Sequence, residues 1–256
     1  MTTDNSDPAP EQSFLSHLIE LRQRLVRAAV AVIIVFLALT PFMKQIFDVL
    51  SQPMMAALPA GSKLLATGVV TPFMVPLKVT LFAALLIALP YVLWQAWAFV
   101  APGLYKHEKR LAAPLIASSV VMFFLGMAYC YFVVFGLVFK AITGFAPASV
   151  AVSPDIEAYF SFVLGMFLAF GLAFEVPIVV VLLARFGIAD VQKMKQARPY
   201  VIVGAFIVAA VFTPPDVLSQ LLLAVPLCLL YEIGVFVARF VAKPAESEEA
   251  APQQAP

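Results

Sequence analysis

Long apolar stretches, broken by short charged ones, dominate this chain from end to end. The uncharged runs Ala28–Met43, Val79–Val100, Leu111–Phe139 and Tyr159–Ala184 read as helices that cross a bilayer, since a crossing takes about 20 residues at 1.5 Å each. Two shorter runs follow, Tyr200–Thr213 and Val217–Tyr231. Glycine and proline inside such runs do not forbid helices in a membrane. The pattern therefore predicts an all-α integral membrane protein with six transmembrane helices, the fifth and sixth short. A 14-residue fifth helix spans roughly 21 Å against roughly 30 Å of hydrocarbon. Between the last two runs stands TPPD, residues 213–216, whose two prolines end one helix and begin the next with almost no loop. Such a hairpin reaches the far side only if the bilayer thins, if a partner shields it, or if flanking residues snorkel.

Charge sets an orientation. Arg22, Arg24, Arg27, Lys106, Lys109, Arg110, Arg185, Lys193, Lys195, Arg198, Arg239 and Lys243 fall on one side, and only Lys44, Lys63, Lys78 and Lys140 on the other. The basic side is the cytoplasmic one, so both termini are expected there, as an even number of helices requires. Residues 44–72 and 140–157 are then external. The domain reading is a cytoplasmic N-terminal segment with an interfacial helix (1–24), a six-helix transmembrane domain (25–240) and a disordered cytoplasmic tail (241–256). The polar, acidic start MTTDNSDPAPEQSF lacks the basic head of a cleaved secretory signal, so the first run reads as a retained helix. The tail KPAESEEAAPQQAP is rich in Pro, Ala and Glu.

Composition agrees with a membrane class: 63% apolar, 12% charged, mean hydropathy +0.99, where a soluble domain carries about twice that charge fraction. A net charge of +1 does not point to nucleic acid. Cys130 and Cys228 lie in separate apolar runs and read as core thiols. His17 and His107 stand alone, and no metal-ligand spacing or cofactor motif is present, so neither a metal nor a cofactor is expected. The GxxxxGK[ST] loop of a nucleotide-driven motor does not occur in this chain.

A few polar residues need an explanation. Glu175 sits in FLAFGLAFEVPIVVVLLARFG (167–187), roughly 15 Å of helix from Arg185 and so near mid-bilayer. A carboxylate there costs about 2.5–3.5 kcal/mol on insertion scales, so it must face protein, water or a partner. Pro177 kinks the helix beside it and frees a carbonyl to which a protonated Glu175 could bond instead. Proton relay and partner contact both remain open for it. Glu20, in HLIELRQRL (17–25), lies one helical turn from Arg24, a local ion pair on an interfacial helix or a binding carboxylate. Glu108 is the one acid in YKHEKR (105–110), where it either balances its basic neighbours or offers a guanidinium paired hydrogen bonds. Lys78, near the outer end of its helix, reads as a snorkelling lysine, and Glu232 as interfacial.

Taken together, HLIELRQRL (17–25), WAFVAPGLYKHEKR (97–110), FEVP (174–177), RPYVIVGAF (198–206), TPPDVLSQ (213–220) and EIGVF (232–236) resemble the TatC family, the polytopic core of the twin-arginine protein translocase. They run in the family's order from residue 17 to about 240. The resemblance implies a cupped six-helix fold with short fifth and sixth helices. It implies a receptor and not an enzyme: twin-arginine signal peptides are bound, and folded proteins are exported across the bacterial inner membrane on the proton motive force. Single-span TatA and TatB partners, and oligomers with itself and TatB, are implied with it. By the same resemblance Glu20 and Glu108 contact the signal's arginine pair, and Arg22, Arg24, Phe99, Leu104, Tyr105 and Lys106 belong to the signal-binding segments. Glu175 matches the carboxylate of the concave face, and Thr213 and Gln220 match polar positions where partner helices dock. Pro53, in the first external loop, and Asp216, in the TPPD turn, match positions tied to assembly or structure. Read from the residues alone, a proton-coupled small-molecule carrier using Glu175 is the alternative, although no internal repeat is visible. A cargo-free scaffold would explain the short hairpin but not the surface carboxylates.

Overall fold

The structure, a computed structural model, describes residues 10–58, 63–100, 109–145, 153–185, 187–213 and 217–241. Ten α-helices carry these residues: α1 (Pro10–Leu39), α2 (Met43–Ala57), α3 (Thr71–Val100), α4 (Lys109–Tyr129), α5 (Phe135–Gly144), α6 (Ile156–Phe174), α7 (Val176–Arg185), α8 (Val191–Gln196), α9 (Arg198–Phe212) and α10 (Val217–Val241). A 3-10 turn, Thr40–Phe42, joins α1 to α2, and a π-helical turn, Cys130–Val134, joins α4 to α5. Among the described residues there is no strand, only one isolated backbone pairing between Leu65 and Asp155.

Five helical stretches are long and apolar enough to cross a membrane: His17–Ala57, Thr71–Phe99, Ala113–Gly144, Ile156–Arg185 and Val217–Val241. Arg198–Phe212 is the shorter apolar helix, 15 residues and so about 22 Å. The fifth helix is thus short as the sequence predicts. The sixth differs: its apolar run stops at Tyr231, but α10 continues through Glu232 and Arg239 to Val241, 25 residues in all. A charged side chain at the edge of a bilayer interrupts apolarity without interrupting backbone hydrogen bonding, so the helix outlasts the run. At the other end, α1 runs unbroken through residues 24 and 25, and the interfacial segment and first span form one helix.

The chain divides into two compact units, residues 1–121 with 142–164, and residues 122–141 with 165–256. In the first, α1 and α2 pack on α3. The stretch expected as an external loop contains α2. Its Ser51 and Met54 are buried, Phe47 packs on the Phe160 ring at 4.7 Å, and Tyr159 donates to the Leu50 carbonyl at 2.9 Å. Pro53 therefore stands inside a helix and not in a loop. The segment before α3 is held to the start of α6 by Leu65 N–H to Pro154 O at 2.9 Å and Ile156 N–H to Leu65 O at 2.8 Å. Asp155 supports both sides of this join. One of its oxygens accepts the Thr67 hydroxyl at 2.7 Å; the other caps α6 through the N–H groups of Glu157 and Ala158 at 2.9 and 3.0 Å. Lys78 does not simply snorkel: its Nζ meets Glu157 at 3.1 Å.

The second unit is aromatic. Phe135 packs against Phe139 and Phe167 at 5.3 and 5.1 Å, and Tyr129 against Phe170 and Phe174 at 5.7 and 5.9 Å. Gly126 of α4 lies directly on the backbone of Phe170. Farther along, Val180 and Ala184 of α7, Met194 of α8 and Tyr231, Val235 and Ala238 of α10 form one buried cluster. Tyr231 satisfies its hydroxyl by donating to the Met194 carbonyl at 2.7 Å. Past Arg185 the chain turns at Gly187, φ +70°, with Ile188 and Ala189 N–H returning to Leu183 O at 3.0 and 3.2 Å. Only a residue that tolerates a left-handed backbone closes a helix end this way without strain.

Candidate functional site

The site is built on α1 and α3. Helical spacing places His17, Glu20, Leu21, Arg24 and Ala28 along one side of α1. Arg24 reaches back one turn and gives both Nε and Nη2 to the same oxygen of Glu20, Oε1, at 3.0 and 2.6 Å. Its remaining terminal nitrogen, Nη1, donates across to Oε1 of Gln95 on α3 at 3.4 Å. Arg24 and Glu20 are partly open to solvent, with 24% and 41% of their side chains exposed, whereas Gln95 is buried. A second link joins the same helices: the rings of His17 and Phe99 stack at 4.4 Å, inclined by 19°. Two residues from Gln95, Trp97 Nε1 donates to the buried Ser119 hydroxyl of α4 at 3.0 Å, fixing this end of α3 from its other side.

Beside the Glu20–Arg24–Gln95 chain lies an apolar groove of about 210 Å³, bordered by Leu21, Leu25 and Ala28 of α1 and Val92, Ala96 and Phe99 of α3. A carboxylate with one oxygen engaged thus stands next to an apolar trough. Among the described residues no hydrogen bond reaches Oε2 of Glu20. That combination suits a ligand carrying a hydrogen-bonding cation followed by an apolar segment.

Of the residues singled out in the sequence, Glu20, Arg24 and Phe99 converge here, and Arg22 is exposed on α1. Leu104, Tyr105, Lys106 and Glu108 lie outside the described residues, as does Asp216. Gln95 was missed, although it is the lone amide of an otherwise apolar run. His17 was set aside as isolated, and nothing in a linear sequence shows that Phe99 stacks on it.

Glu175 occupies the junction of α6 and α7. Pro177 has no N–H, so the carbonyl four residues earlier loses its helical donor and the ladder breaks. Glu175 N–H donates to Leu172 O, three residues back, at 3.1 Å, and its own carbonyl accepts Ile178 and Val179 N–H, each at 3.0 Å. The residue is 7% exposed, inside a membrane-crossing stretch. Thr213 is buried and donates to Ala209 O at 2.8 Å, while Gln220 reaches Phe206 O at 3.4 Å, tying α10 to α9. Between α9 and α10 runs a larger apolar groove, about 440 Å³, lined by Val201, Ile202 and Phe206 on one side and Val225, Cys228 and Leu229 on the other. An ion pair, Arg198 Nη2 to Glu232 Oε2 at 2.6 Å, closes one end of it. Glu232 therefore has a specific partner. Among the described residues no group of His, Cys, Asp and Glu could hold a metal.

These features define a multi-pass, all-helical membrane protein whose polar groups, among the described residues, pair mostly between and within helices. Residues 16–226 match the family model of the Sec-independent protein translocase protein TatC. The TatC of Escherichia coli is 49% identical over 239 residues, 93% of each chain, and that of Azotobacter chroococcum 50% identical over 254 residues, 99% of this chain and 98% of its own. A crystal structure described as the twin-arginine translocase receptor TatC superposes with a TM-score of 0.78 at 36% identity, covering 88% of this chain and 99% of that one. A second, of the same receptor in the detergent DDM, gives 0.77. The chain belongs to the TatC family of Sec-independent protein translocases, a transport family and not a catalytic one.

Proposed function

We propose that this chain is the signal-peptide receptor and core of a twin-arginine translocase, and that Glu20 is one of the groups that reads the arginine pair. The observation that supports this best is the carboxylate of Glu20, anchored by Arg24, a residue that lines the α1–α3 groove. A guanidinium meets such an oxygen with charge-assisted bonds worth about 1.5–3 kcal/mol. Glu108, with Leu104, Tyr105 and Lys106, completes the site from the segment after α3, and Arg22 flanks it. The peptide's apolar part lies along the groove against Phe99.

Helices of TatA- and TatB-type partners dock where the short α9 meets the start of α10, near Thr213 and Gln220. Glu175 meets an inserted helix by a polar contact, Pro53 and Asp216 serve assembly, and copies of this chain assemble with TatB. Export of folded cargo draws on the proton motive force. The chain lies in the bacterial inner membrane with both ends cytoplasmic, which the bias of lysine and arginine supports.

The test is site-specific photocrosslinking. A photoreactive residue at Leu25 or Val92, both bordering the groove, should capture a twin-arginine signal peptide, and a twin-lysine peptide should compete poorly. Capture of neither peptide, or equal capture of both, would overturn the receptor reading.

A further inference from the structure

We infer that Gln95 is a positioning residue of this site: acting through Arg24, it holds the Glu20 carboxylate with one oxygen occupied and the other presented, and so sets the preference for a guanidinium over an ammonium. The inference rests on the receptor reading and adds to it a residue outside the matched sequence segments.

Alone, Glu20 and Arg24 are a partly exposed pair one turn apart on one helix. Such pairs contribute about 0.3–0.5 kcal/mol, little more than twofold over a broken pair, so Glu20 would often point elsewhere. Gln95 changes this because it is on another helix and is buried. An amide packed in an α1–α3 contact cannot follow Arg24 outward. Its oxygen takes Nη1 while Nε and Nη2 converge on Glu20 Oε1, so the plane of the guanidinium is set from two helices. Arg24 then commits Oε1 and leaves Oε2 for a ligand.

The same arrangement explains selectivity. Arg24 offsets the charge of Glu20, which weakens the attraction the site has for any cation. Directional hydrogen bonding is what remains. A guanidinium is planar, weakly hydrated and carries several coplanar donors, whereas an ammonium is a compact, strongly hydrated charge. An oriented single oxygen with little net field favours the first.

The experiment measures binding of twin-arginine and twin-lysine signal peptides to the full-length protein in detergent or nanodiscs. Four forms are compared: unsubstituted, Gln95→Leu, Arg24→Met and the double variant. Gln95→Leu should weaken twin-arginine binding about two- to tenfold, because the loss of its long bond from the Arg24 guanidinium reaches the ligand only through Arg24 and Glu20, and twin-lysine binding by less, so that discrimination falls. In the Arg24→Met background, Gln95→Leu should change twin-arginine binding by less than about twofold, the signature of two residues acting as one unit. Equal losses for both peptides, or an undiminished loss in the Arg24→Met background, would show that Gln95 only supports the fold and would overturn the inference. If Gln95→Leu lowers thermal stability markedly, Gln95→Met, unbranched and of similar length, carries the same comparison. Failure of the unsubstituted protein to prefer the twin-arginine peptide would remove the receptor reading itself, independently of either variant.

Discussion

A methyl group added at Gly126 tests the packing on which the second unit depends. A Cβ there would run into the backbone carbonyl of Phe170 and stand 2.9 Å from the ring of Phe174. Carbon atoms rest at about 3.5–4.0 Å, so the ring is roughly 0.6–1.1 Å too near. Neither obstacle can step aside. One is main chain, and the other is a buried ring already packed on Tyr129. The helices α4 and α6 would have to part, and overpacking of this kind costs about 1–3 kcal/mol. Against it stands the helical gain of alanine over glycine, about 0.8–1.0 kcal/mol. Gly204 of α9 isolates that second contribution, because nothing lies within 4 Å of a Cβ built on it. Gly204→Ala should therefore stabilise by up to about 1 kcal/mol, and Gly126→Ala should fall below it by about 1–3 kcal/mol. Equilibrium unfolding in mixed micelles, with denaturing detergent as the variable, measures both against the parent. Equal stability of the two alanine variants would refute the close-packing argument, whichever way both moved.

The remaining predictions concern the loops, the buried carboxylate and the orientation. Hydrogen bonds hold the Asp155 carboxyl below its ordinary value of 3.8, the Thr67 hydroxyl first and the Ala158 N–H next. A lowered folded-state pKa means that its stabilisation is complete above 3.8 and is lost as pH falls below it, so acid melts of Thr67→Val and Asp155→Asn should lose part of the parent's decline below that pH, and unchanged profiles would dismiss the linkage. Glu175→Gln should keep much of the transport and Glu175→Leu should lose assembly or transport; if Gln fails as badly as Leu while assembly survives, a proton relay replaces the partner contact. A cysteine at Lys63 should be labelled from outside intact cells and one at Lys195 should not, the reverse result inverting the topology.

The crossing helices were legible because a bilayer demands long uncharged runs and backbone bonds closed within each segment. The same criterion hid α2. Its Lys44 and Asp48 disqualify it as an apolar run, yet Phe47, Leu50 and Met54 recur at helical spacing on the face that packs inward. Lys78 was open to a different misreading, since its partner Glu157 stands 79 positions away and no local pattern announces the pair. In the site, Glu20 and Arg24 are visible together in one helical turn. Gln95 is visible only as an oddity, and its meaning comes from α3 lying against α1. Near-neighbour chemistry is written in the sequence, whereas chemistry between helices becomes readable only with the packing.

The arithmetic of charge at the proposed site yields one more consequence. In sequence, the two segments assigned to it carry five basic residues, Arg22, Arg24, Lys106, Lys109 and Arg110, against two carboxylates, Glu20 and Glu108. They lie on the basic side of the protein, where an excess of lysine and arginine is the general condition. A doubly charged ligand therefore approaches a surface with no net attraction for it. Long-range Coulomb capture cannot provide either the affinity or the choice of arginine over lysine. Short, oriented hydrogen bonds from an anchored Glu20 and apolar contact along the α1–α3 groove must supply both. Salt screens charges separated by more than about 8–10 Å but hardly weakens bonds at contact or the burial of apolar surface. Raising ionic strength from about 0.05 to about 0.3 M should accordingly change twin-arginine peptide affinity by less than about threefold. A steep loss of affinity with salt would mean that the site acts as a general cation trap, and that its carboxylates outweigh the basic residues around them.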